Sequence, residues 1–194
     1  MMSLKKLMDL LYYPIFEKVI VNFPTIADCY VNLHEKLVKN EIKLANISSS
    51  DRVLHIGCGA IPATSILLAK KTGASVVGID RDNKSYIKAS QYVARKGFAD
   101  KIQIKKEEAL LISSLDKFNV IIISRGVTTI KPLLNHILSN MKPNTRVILR
   151  IPSDDKKKYE NIINTIFLKR DAVTSYGTTT SILLSKTHLV SSPL

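Results

Sequence analysis

Hydrophobic residues in most of this chain fall into short continuous runs, separated by longer segments in which they recur at helical spacing. The short runs predict buried strands at residues 53–56, 75–79, 102–104, 118–123 and 146–151. The run at 118–123 is almost entirely apolar, which is typical of a central strand in a parallel sheet. Strands that alternate with helices in this way predict an α/β domain.

The segments between these strands carry apolar residues at helical spacing and stop at helix-terminating residues. They predict helices from Pro62 to Gly73, from Asp82 or Asn83 to about residue 96, over residues 127–141, and from Asp154 to about residue 168. Pro62 suits a first helical turn, because a missing N–H is tolerated there. Residues 105–117 are predicted to form a loop.

The end of the chain differs, because two β-rich segments are joined by a turn and not by a helix. Residues 171–175 and 179–185 flank Tyr176 and Gly177, which predicts a β-hairpin. Together with the preceding strands, the hairpin predicts a Rossmann-like α/β fold. Its sheet is expected to be seven-stranded and mostly parallel, with an antiparallel pair at the end.

Two helices are predicted before the sheet. The first spans residues 3–21, divided or kinked by Pro14 near Tyr13, and the second runs from a Thr25 cap to about Asn46. Charged residues interrupt the apolar part of the first segment and no small-residue cleavage site follows it. We therefore expect an amphipathic helix of the mature protein and no signal peptide. The expected division is a helical cover at residues 1–47 and a nucleotide-binding domain at residues 48–194.

The composition is that of an ordinary folded protein. Of 194 residues, 45% are hydrophobic and 23% are charged, and no apolar run reaches the roughly 18 residues that would span a bilayer. Cys29 and Cys58 are too few for a disulfide framework or a four-cysteine zinc site, which favours the reducing cytoplasm.

The net charge of +13 is the unusual feature of the composition. Such a charge is typical of proteins that bind a polyanion such as RNA, an acidic protein or a membrane surface. It also arises from a lysine-rich proteome with solvated helix faces, and the lysines here are spread along the whole chain. Aromatic residues are few, so no stacking platform for single strands is predicted. An anionic partner and a homodimer both stay open.

The most informative stretch is the glycine turn between the first two predicted strands. Gly57 and Gly59 let the backbone approach a ligand, and Asp80, about 21 residues beyond Gly59, can accept hydrogen bonds from ribose hydroxyls. Backbone N–H groups at the following helix start favour an anionic group. Pro62 stands where a dinucleotide fingerprint has its third glycine, and no lysine follows the glycines. The turn therefore indicates an adenosine cofactor other than NAD, and it is no triphosphate loop.

These segments resemble the motifs of Rossmann-like S-adenosylmethionine (SAM)-dependent methyltransferases over residues 51–186. VLHIGCG is similar to their first motif, with His55 where an acid is usual, and VVGIDRD is similar to the second. KPNTRVILR is similar to the start of their fifth strand, and Asn119 stands where the fourth motif commonly has Asp. The resemblance implies SAM as cofactor, held by His55, Gly57, Cys58, Gly59, Pro62, Thr64, Asp80, Arg81, Glu108, Ala109 and Ser124.

Two of those residues have a second interpretation. His55 lies in a core strand, where a histidine is commonly a hydrogen-bonded structural residue. Cys58 has a small side chain that suits packing inside the turn. Both interpretations stay open beside a cofactor-binding role.

Within that class, the turn resembles that of nicotianamine synthase-like enzymes, which have the pattern Gly-x-Gly-x-x-Pro-x-Thr. Gly57, Gly59, Pro62 and Thr64 match it, and the lead-in containing Tyr30 and the ending GTTTSILLSK are also similar. The resemblance implies transfer of the 3-amino-3-carboxypropyl arm of SAM to an amine, with release of methylthioadenosine. Those enzymes have a longer N-terminal helical domain that supplies a catalytic acid, whereas only residues 1–52 precede the first predicted strand here.

Acceptor chemistry needs groups at the carboxyl edge of the sheet, where ligands of such sheets bind. Tyr30 and Glu41 share the inward face of the second predicted helix, and with Tyr13 they are candidate positioning or base groups. Glu41 is alternatively a helix-edge acid that reaches solvent. Arg125, just after the fourth predicted strand, is either a clamp for a carboxylate or phosphate or half of a surface ion pair. The histidines lack metal-ligand spacing, so no metal is expected.

Three functions stay open from the sequence. The first is a SAM-dependent methyltransferase of unidentified acceptor, with Tyr30, Glu41 and Arg125 as catalytic candidates. The second is a nicotianamine synthase-like aminocarboxypropyl transferase. The third is a SAM- or RNA-binding accessory protein without catalysis. Alkyl transfer from a sulfonium needs mainly in-line positioning and, for weak nucleophiles, a general base.

Overall fold

The protein is built around a seven-stranded β-sheet, which confirms the predicted fold class. A computed structural model describes residues 19–164, 168–176 and 178–186, with all side chains except those of residues 168–170. The strands are β1 (Arg52–Ile56), β2 (Ser75–Asp80), β3 (Ile102–Lys106), β4 (Val120–Ile123), β5 (Arg146–Pro152), β6 (Leu168–Ser175) and β7 (Thr179–Ser185). Their order across the sheet is β3-β2-β1-β4-β5-β7-β6.

The first five strands run parallel, and the last two form the predicted antiparallel hairpin. β1 pairs with β2 on one side and β4 on the other, so that Leu54 lies opposite both Val77 and Ile121. β7 runs antiparallel to both β5 and β6. After the edge strand β3, the chain returns to the middle of the sheet as β4. In such sheets, a ligand crevice opens at the carboxyl ends of the strands beside this reversal, here β1 and β4.

Helices connect the parallel strands and precede the sheet. Those described in full are α1 (Pro24–Leu33), α2 (Glu35–Ala45), α3 (Ala63–Thr72), α4 (Asn83–Arg95), α5 (Ile130–Asn140) and α6 (Lys156–Asn164). Gly73 ends α3 in the left-handed conformation, and the Asp82 carboxylate caps α4 by accepting from the Ser85 N–H. Both helix ends agree with the prediction.

The single helix predicted from Thr25 to about Asn46 is wrong, because the chain breaks at His34 between α1 and α2. The imidazole Nδ1 of His34 lies 2.9 Å from the carbonyl oxygen of Tyr30, and the His34 N–H donates to the carbonyl of Val31. The ring thus hydrogen-bonds to the Tyr30 carbonyl, which would accept the backbone N–H of His34 in a continuous α-helix. Thr25 does not cap α1, since the helix already begins at Pro24.

A second predicted boundary is also wrong. The helix predicted from Asp154 to about residue 168 is α6, which ends at Asn164, and Asp154 lies in a short 3-10 turn before it. Leu168 instead begins β6, because it pairs with Ser185 of β7. Pairing across the hairpin overrides the local helical pattern.

The predicted loop at residues 105–117 is partly ordered into regular structure. β3 continues to Lys106, which pairs with Asp80 at the end of β2. Two 3-10 turns follow, Ala109–Leu111 and Leu115–Lys117.

The sheet is buried on both faces, which explains the continuous apolar runs of its central strands. Val53 of β1 packs on one face in a cluster that includes Leu68 of α3 and Val38 of α2. The next residue, Leu54, points to the other face and packs in a cluster that includes Leu134 of α5. The helices before the sheet therefore share a core with it.

Some predictions lie outside this description. Most of the helix predicted at residues 3–21, including Tyr13 and Pro14, falls outside the described residues. The division of the chain after residue 47 stays a prediction. Within the described part of the chain, no helix is both long enough and apolar enough to cross a membrane.

Candidate active site

The glycine turn follows β1 and is shaped by left-handed backbone at both of its glycines. Gly57 and Gly59 have φ values of 74° and 71°. The N–H groups of Gly57 and Cys58 donate to the carbonyl of Ile79 at 2.9 and 3.0 Å, which ties the turn to β2. A Cβ atom at Gly57 would lie 3.1 Å from Cγ2 of Val127. Glycine is needed here for both its conformation and its lack of a side chain.

Asp80, at the end of β2, faces this turn. Its Oδ2 accepts from the Gly59 N–H and its Oδ1 accepts from the Asp82 N–H, each at 2.9 Å. Each carboxylate oxygen keeps a further lone pair. The side chain is therefore fixed against the glycine turn with acceptor capacity for two ribose hydroxyls.

Three of the residues that the resemblance assigns to cofactor binding, Arg81, Glu108 and Ala109, lie beyond the ends of β2 and β3. Arg81 Nη1 and Glu108 Oε2 are 4.0 Å apart, with the two side chains 69% and 39% exposed. Such an exposed pair contributes little to stability. Ala109 follows directly and starts a 3-10 turn. Contact of these residues with a cofactor stays a prediction.

A hydrogen-bonded histidine joins the glycine-turn helix to the end of β4. His55 is 2% exposed, and its Nδ1 lies 2.9 Å from Oγ of Ser65 on α3. Its Nε2 lies 2.9 Å from Oγ of Ser124, directly after β4. Burial lowers the pKa of the His55 imidazole well below 6.5, and the charge of Arg150 and interaction with His34 act in the same direction. The ring is therefore neutral near pH 7.

A buried ion pair lies beside the last residue of the glycine motif. The Arg150 guanidinium of β5 donates to both carboxylate oxygens of Glu41 on α2, from Nε at 2.7 Å and Nη2 at 2.6 Å. Nη2 also donates to Oγ1 of Thr64 at 2.9 Å, and the Ser181 hydroxyl donates to Glu41 at 2.6 Å. Glu41 is fully buried, so the alternative that it reaches solvent is wrong.

The cover helices bring two aromatic side chains to the same region. The Tyr30 ring and the His34 ring lie 4.5 Å apart between centroids. Burial lowers the pKa of His34, and the charges of Arg150 and Arg125 act in the same direction. Arg125 Nη1 lies 3.5 Å from Oγ1 of Thr179. The structure thus places Tyr30, Glu41 and Arg125 near the carboxyl ends of β4 and β5. Their catalytic roles stay predictions.

Residues 47–180 match the family described as methyltransferase domain. The chain belongs to this methyltransferase-domain family. Its membership, together with the glycine turn and Asp80, confirms the predicted relation to Rossmann-like, class I SAM-dependent methyltransferases. SAM is the cofactor of this class, and the turn fits it: Gly57 and Gly59 hold a left-handed backbone that carries no side chain toward a ligand, and the Asp80 carboxylate is oriented by the Gly59 N–H.

Curated relatives of this methyltransferase-domain protein differ in activity. It is 34% identical to an L-histidine 2-aminobutanoyltransferase of Yersinia pestis over 77 residues, which are 40% of this chain and 29% of the relative. It is 31% identical to a tRNA1(Val) (adenine(37)-N6)-methyltransferase of Bacteroides thetaiotaomicron over 80 residues, which are 40% of this chain and 33% of the relative. A second L-histidine 2-aminobutanoyltransferase, from Pseudomonas aeruginosa, is 28% identical over 58% of this chain and 43% of its own length. These matches each span less than two thirds of the relative.

Solved structures with the same fold include both kinds of transferase. MtNAS, a nicotianamine synthase, in complex with MTA and tNA superposes with a TM-score of 0.74 at 20% identity, covering 91% of this chain and 71% of MtNAS. An RNA methyltransferase of Salinibacter ruber in complex with S-adenosyl-L-homocysteine superposes with a TM-score of 0.62 at 18% identity, covering 81% and 95%. At these identities the likeness concerns the fold alone.

The sequence reasoning missed four polar residues of this site. Arg150 had a signal, since a charged residue inside the apolar run of β5 requires a buried partner. Ser181 directly precedes the apolar residues 182–184 of β7, which is a weaker signal of the same kind. Nothing in the sequence marked Ser65 or His34 as members of the site. Among the described residues, no group of His, Cys, Asp and Glu side chains could hold a metal ion.

The predictions that concern further partners stay predictions. Lys156, Lys157 and Lys158 are exposed on α6, as a solvated or anion-binding face requires. Binding of RNA or an acidic protein and formation of a homodimer belong to these predictions.

Proposed function

We propose that this protein transfers the 3-amino-3-carboxypropyl arm of SAM to a nitrogen nucleophile and releases methylthioadenosine. The observation that carries the proposal is the hydrogen bond from Arg150 to Thr64, the last residue of the Gly-x-Gly-x-x-Pro-x-Thr turn. The same guanidinium binds Glu41 of α2. One buried cluster therefore joins the glycine turn, the strand β5 and the helical cover.

In that cluster, the Thr of the Pro-x-Thr segment links the glycine turn to Arg150. Thr64 is 2% exposed on the first turn of α3, where it reaches Arg150 and not solvent. A cover that is fixed to the cofactor turn restricts the side from which an acceptor approaches, and orientation of this kind is a large part of catalysis of alkyl transfer.

Two relatives support this proposal by their names. The Yersinia pestis and Pseudomonas aeruginosa proteins are L-histidine 2-aminobutanoyltransferases, and a 2-aminobutanoyl group has the carbon skeleton of the SAM arm. The nicotianamine synthase MtNAS has the same fold. L-Histidine is therefore a rational first acceptor to test.

When bound, SAM supplies a sulfonium whose attached carbons are electrophilic. The residues around it then need to orient an uncharged nitrogen. Burial, and after it the positive charges of Arg150 and Arg125, lowers the pKa of His34, and the same surroundings would favour the neutral form of a nearby amine. In this proposal, Arg125 binds a carboxylate of the acceptor, Tyr30 lines its pocket, and Glu41 is a positioning residue that acts through Arg150 and Thr64.

Methyl transfer is the second candidate. The family described as methyltransferase domain and the tRNA1(Val) methyltransferase of Bacteroides thetaiotaomicron favour it. Ser124 and Arg125 follow β4, where the acceptor of such enzymes commonly meets the cofactor. This reaction would release S-adenosyl-L-homocysteine in place of methylthioadenosine.

Identification of the nucleoside product tests the proposal. The protein is incubated with SAM and L-histidine, and separately with SAM and the small-molecule fraction of a cell extract, and the nucleosides are separated by liquid chromatography with mass detection. We expect methylthioadenosine, and an Asp80→Asn variant should lose most of it. Adenosylhomocysteine would instead identify a methyltransferase. SAM binding without either product would favour the accessory protein.

A further inference from the structure

Ser65, His55 and Ser124 form a chain of hydrogen bonds from the core to the ligand edge of the sheet. The two bonds, Oγ of Ser65 to Nδ1 and Nε2 to Oγ of Ser124, are each 2.9 Å long. Ser65 is fully buried and His55 nearly so, whereas Ser124 is partly exposed at the carboxyl end of β4. These hydrogen bonds therefore connect Ser65, which solvent does not reach, to Ser124, which a ligand can contact.

The direction of these hydrogen bonds follows from the sealed end. A buried hydroxyl hydrogen without an acceptor is costly, by about 1–3 kcal/mol. Within the described part of the chain, the Ser65 hydroxyl makes its one side-chain hydrogen bond with His55. Ser65 therefore donates, and Nδ1 of His55 accepts. Because burial keeps the imidazole neutral, its single proton is on Nε2, which donates to Oγ of Ser124.

Ser124 thus receives a hydrogen bond and keeps its own O–H to donate. Its Cβ would lie 3.4 Å from a Cβ atom at Gly57, so it borders the glycine turn directly. Asp80 marks the ribose end of the site over β2, and β1 and β4 lie next along the sheet. The amino-acid arm of the cofactor extends from the ribose, and this order leaves the β1–β4 end for it. Donation to Oγ by Nε2 also strengthens the outgoing O–H as a donor.

We propose that the Ser124 hydroxyl donates a hydrogen bond to the carboxylate of the cofactor's amino-acid arm, and that His55 and Ser65 are the positioning residues that orient it. A donor suits an anionic group and does not suit the ammonium group of the same arm, which is itself a donor. The adjacent Arg125 adds positive charge on that side. An ionised acid at position 55 would only accept hydrogen bonds. His55 instead donates one to Ser124, so the residue at this position of the motif is a donor and not an acceptor.

The inference rests on the SAM cofactor and not on which group is transferred. Its test is therefore binding of S-adenosyl-L-homocysteine and of its decarboxylated analogue, measured by isothermal titration calorimetry without any acceptor. The quantity compared is the ratio of the two dissociation constants. Ser124→Ala should reduce the preference for the carboxylate-bearing ligand about tenfold, as expected for a hydrogen bond to a charged group.

Three further variants separate this role from general damage. Ser65→Ala leaves Ser124 intact and frees the ring to take either tautomer, so the preference should fall by a smaller factor, about threefold. Ser124→Thr keeps a hydroxyl and should retain most of the preference. Ser139→Ala, at an exposed serine of α5, should change nothing.

An unchanged ratio in a folded Ser124→Ala variant would overturn the inference, with folding checked by circular dichroism. Should that variant not fold, an unchanged ratio in Ser65→Ala would overturn it equally. Failure of the unaltered protein to bind S-adenosyl-L-homocysteine at all would contradict the cofactor itself. Failure of the arm-transfer proposal leaves the inference intact, because the carboxylate is present in either reaction.

Discussion

Glu41 on α2 and Arg150 on β5 form a bidentate ion pair, with N–O distances of 2.7 and 2.6 Å, although 109 residues separate them in the chain. Both side chains are buried. Ser181 and Thr64 complete the hydrogen bonding of the pair. The contact fixes the helical cover to the sheet beside the glycine turn.

Removing one member of this pair should destabilise the protein strongly. Glu41→Gln leaves the Arg150 charge buried without its partner, and we expect a loss of about 3–5 kcal/mol in the free energy of unfolding. Urea denaturation followed by circular dichroism measures it. Glu107→Gln, a change at the end of β3, is the matched control and should have little effect. A loss below about 1 kcal/mol in Glu41→Gln would show that the pair does not join cover and sheet.

Alanine substitutions at Gly57 and Gly97 distinguish the cost of backbone strain from the cost of a steric clash. Both have positive φ, 74° and 71°, but a Cβ atom at Gly97 meets nothing within 4 Å, whereas one at Gly57 meets Val127. Gly97→Ala should therefore cost about 1–2 kcal/mol from strain alone. Gly57→Ala should cost more, and it should also weaken SAM binding while Gly97→Ala leaves binding unchanged. Equal behaviour of the two variants in SAM titrations would contradict a cofactor turn at Gly57.

Asp80 should carry much of the affinity for the ribose. Asp80→Ala removes an oriented acceptor that the backbone N–H groups of Gly59 and Asp82 hold in place. We expect SAM affinity to fall at least tenfold, since hydrogen bonds to a charged group contribute about 1.5–3 kcal/mol. Asp100→Ala, outside this edge of the sheet, is the control. Glu108→Ala should have a smaller effect than Asp80→Ala, because its side chain is partly exposed.

The stability should fall as the pH is lowered from about 7.5 to 5.5. The pKa of His55 is lowered well below 6.5 by burial, and that of His34 is also lowered, so the unfolded chain binds protons in this range that the folded protein cannot. Each histidine contributes up to about 1.4 kcal/mol per pH unit below its unfolded pKa. The pKa values of Asp28 and Glu35 are also lowered, that of Glu35 to about 2. The stability that these two carboxylates contribute is therefore lost only at more acidic pH.

The dependence on His55 is measured by urea midpoints across this pH range. His55→Gln should flatten the slope, and the remaining slope should come from His34. A variant slope equal to that of the unaltered protein would show that folding does not lower the pKa of His55.

Local signals predicted the sheet and the cofactor turn well. The run before Gly57 becomes β1. The spacing from Gly59 to Asp80 is that of a turn, a helix and a strand, so these two residues meet at one edge of the sheet. These contacts form between elements that follow one another in the chain, so the hydrophobic pattern alone predicts them. The same logic places the hairpin of β6 and β7.

The region around Glu41 and Arg150 was less predictable, because it depends on contacts between distant elements. Nothing near Glu41 indicates that Arg150 lies against it, since α2 and β5 meet only in the folded chain. The break at His34 depends on one side-chain hydrogen bond to Tyr30, which helical periodicity does not reveal. Ser65 is a polar residue on a buried helix face, and its purpose is visible only beside His55.

The most direct test of the central claim is the fate of two labels in one SAM molecule. SAM carries carbon-13 in its methyl group and nitrogen-15 in the amino group of its arm, and mass spectrometry follows both labels after turnover with L-histidine or a cell-extract acceptor. The account predicts nitrogen-15 in the acceptor product and carbon-13 in methylthioadenosine. Carbon-13 in the acceptor product with nitrogen-15 in adenosylhomocysteine would contradict it.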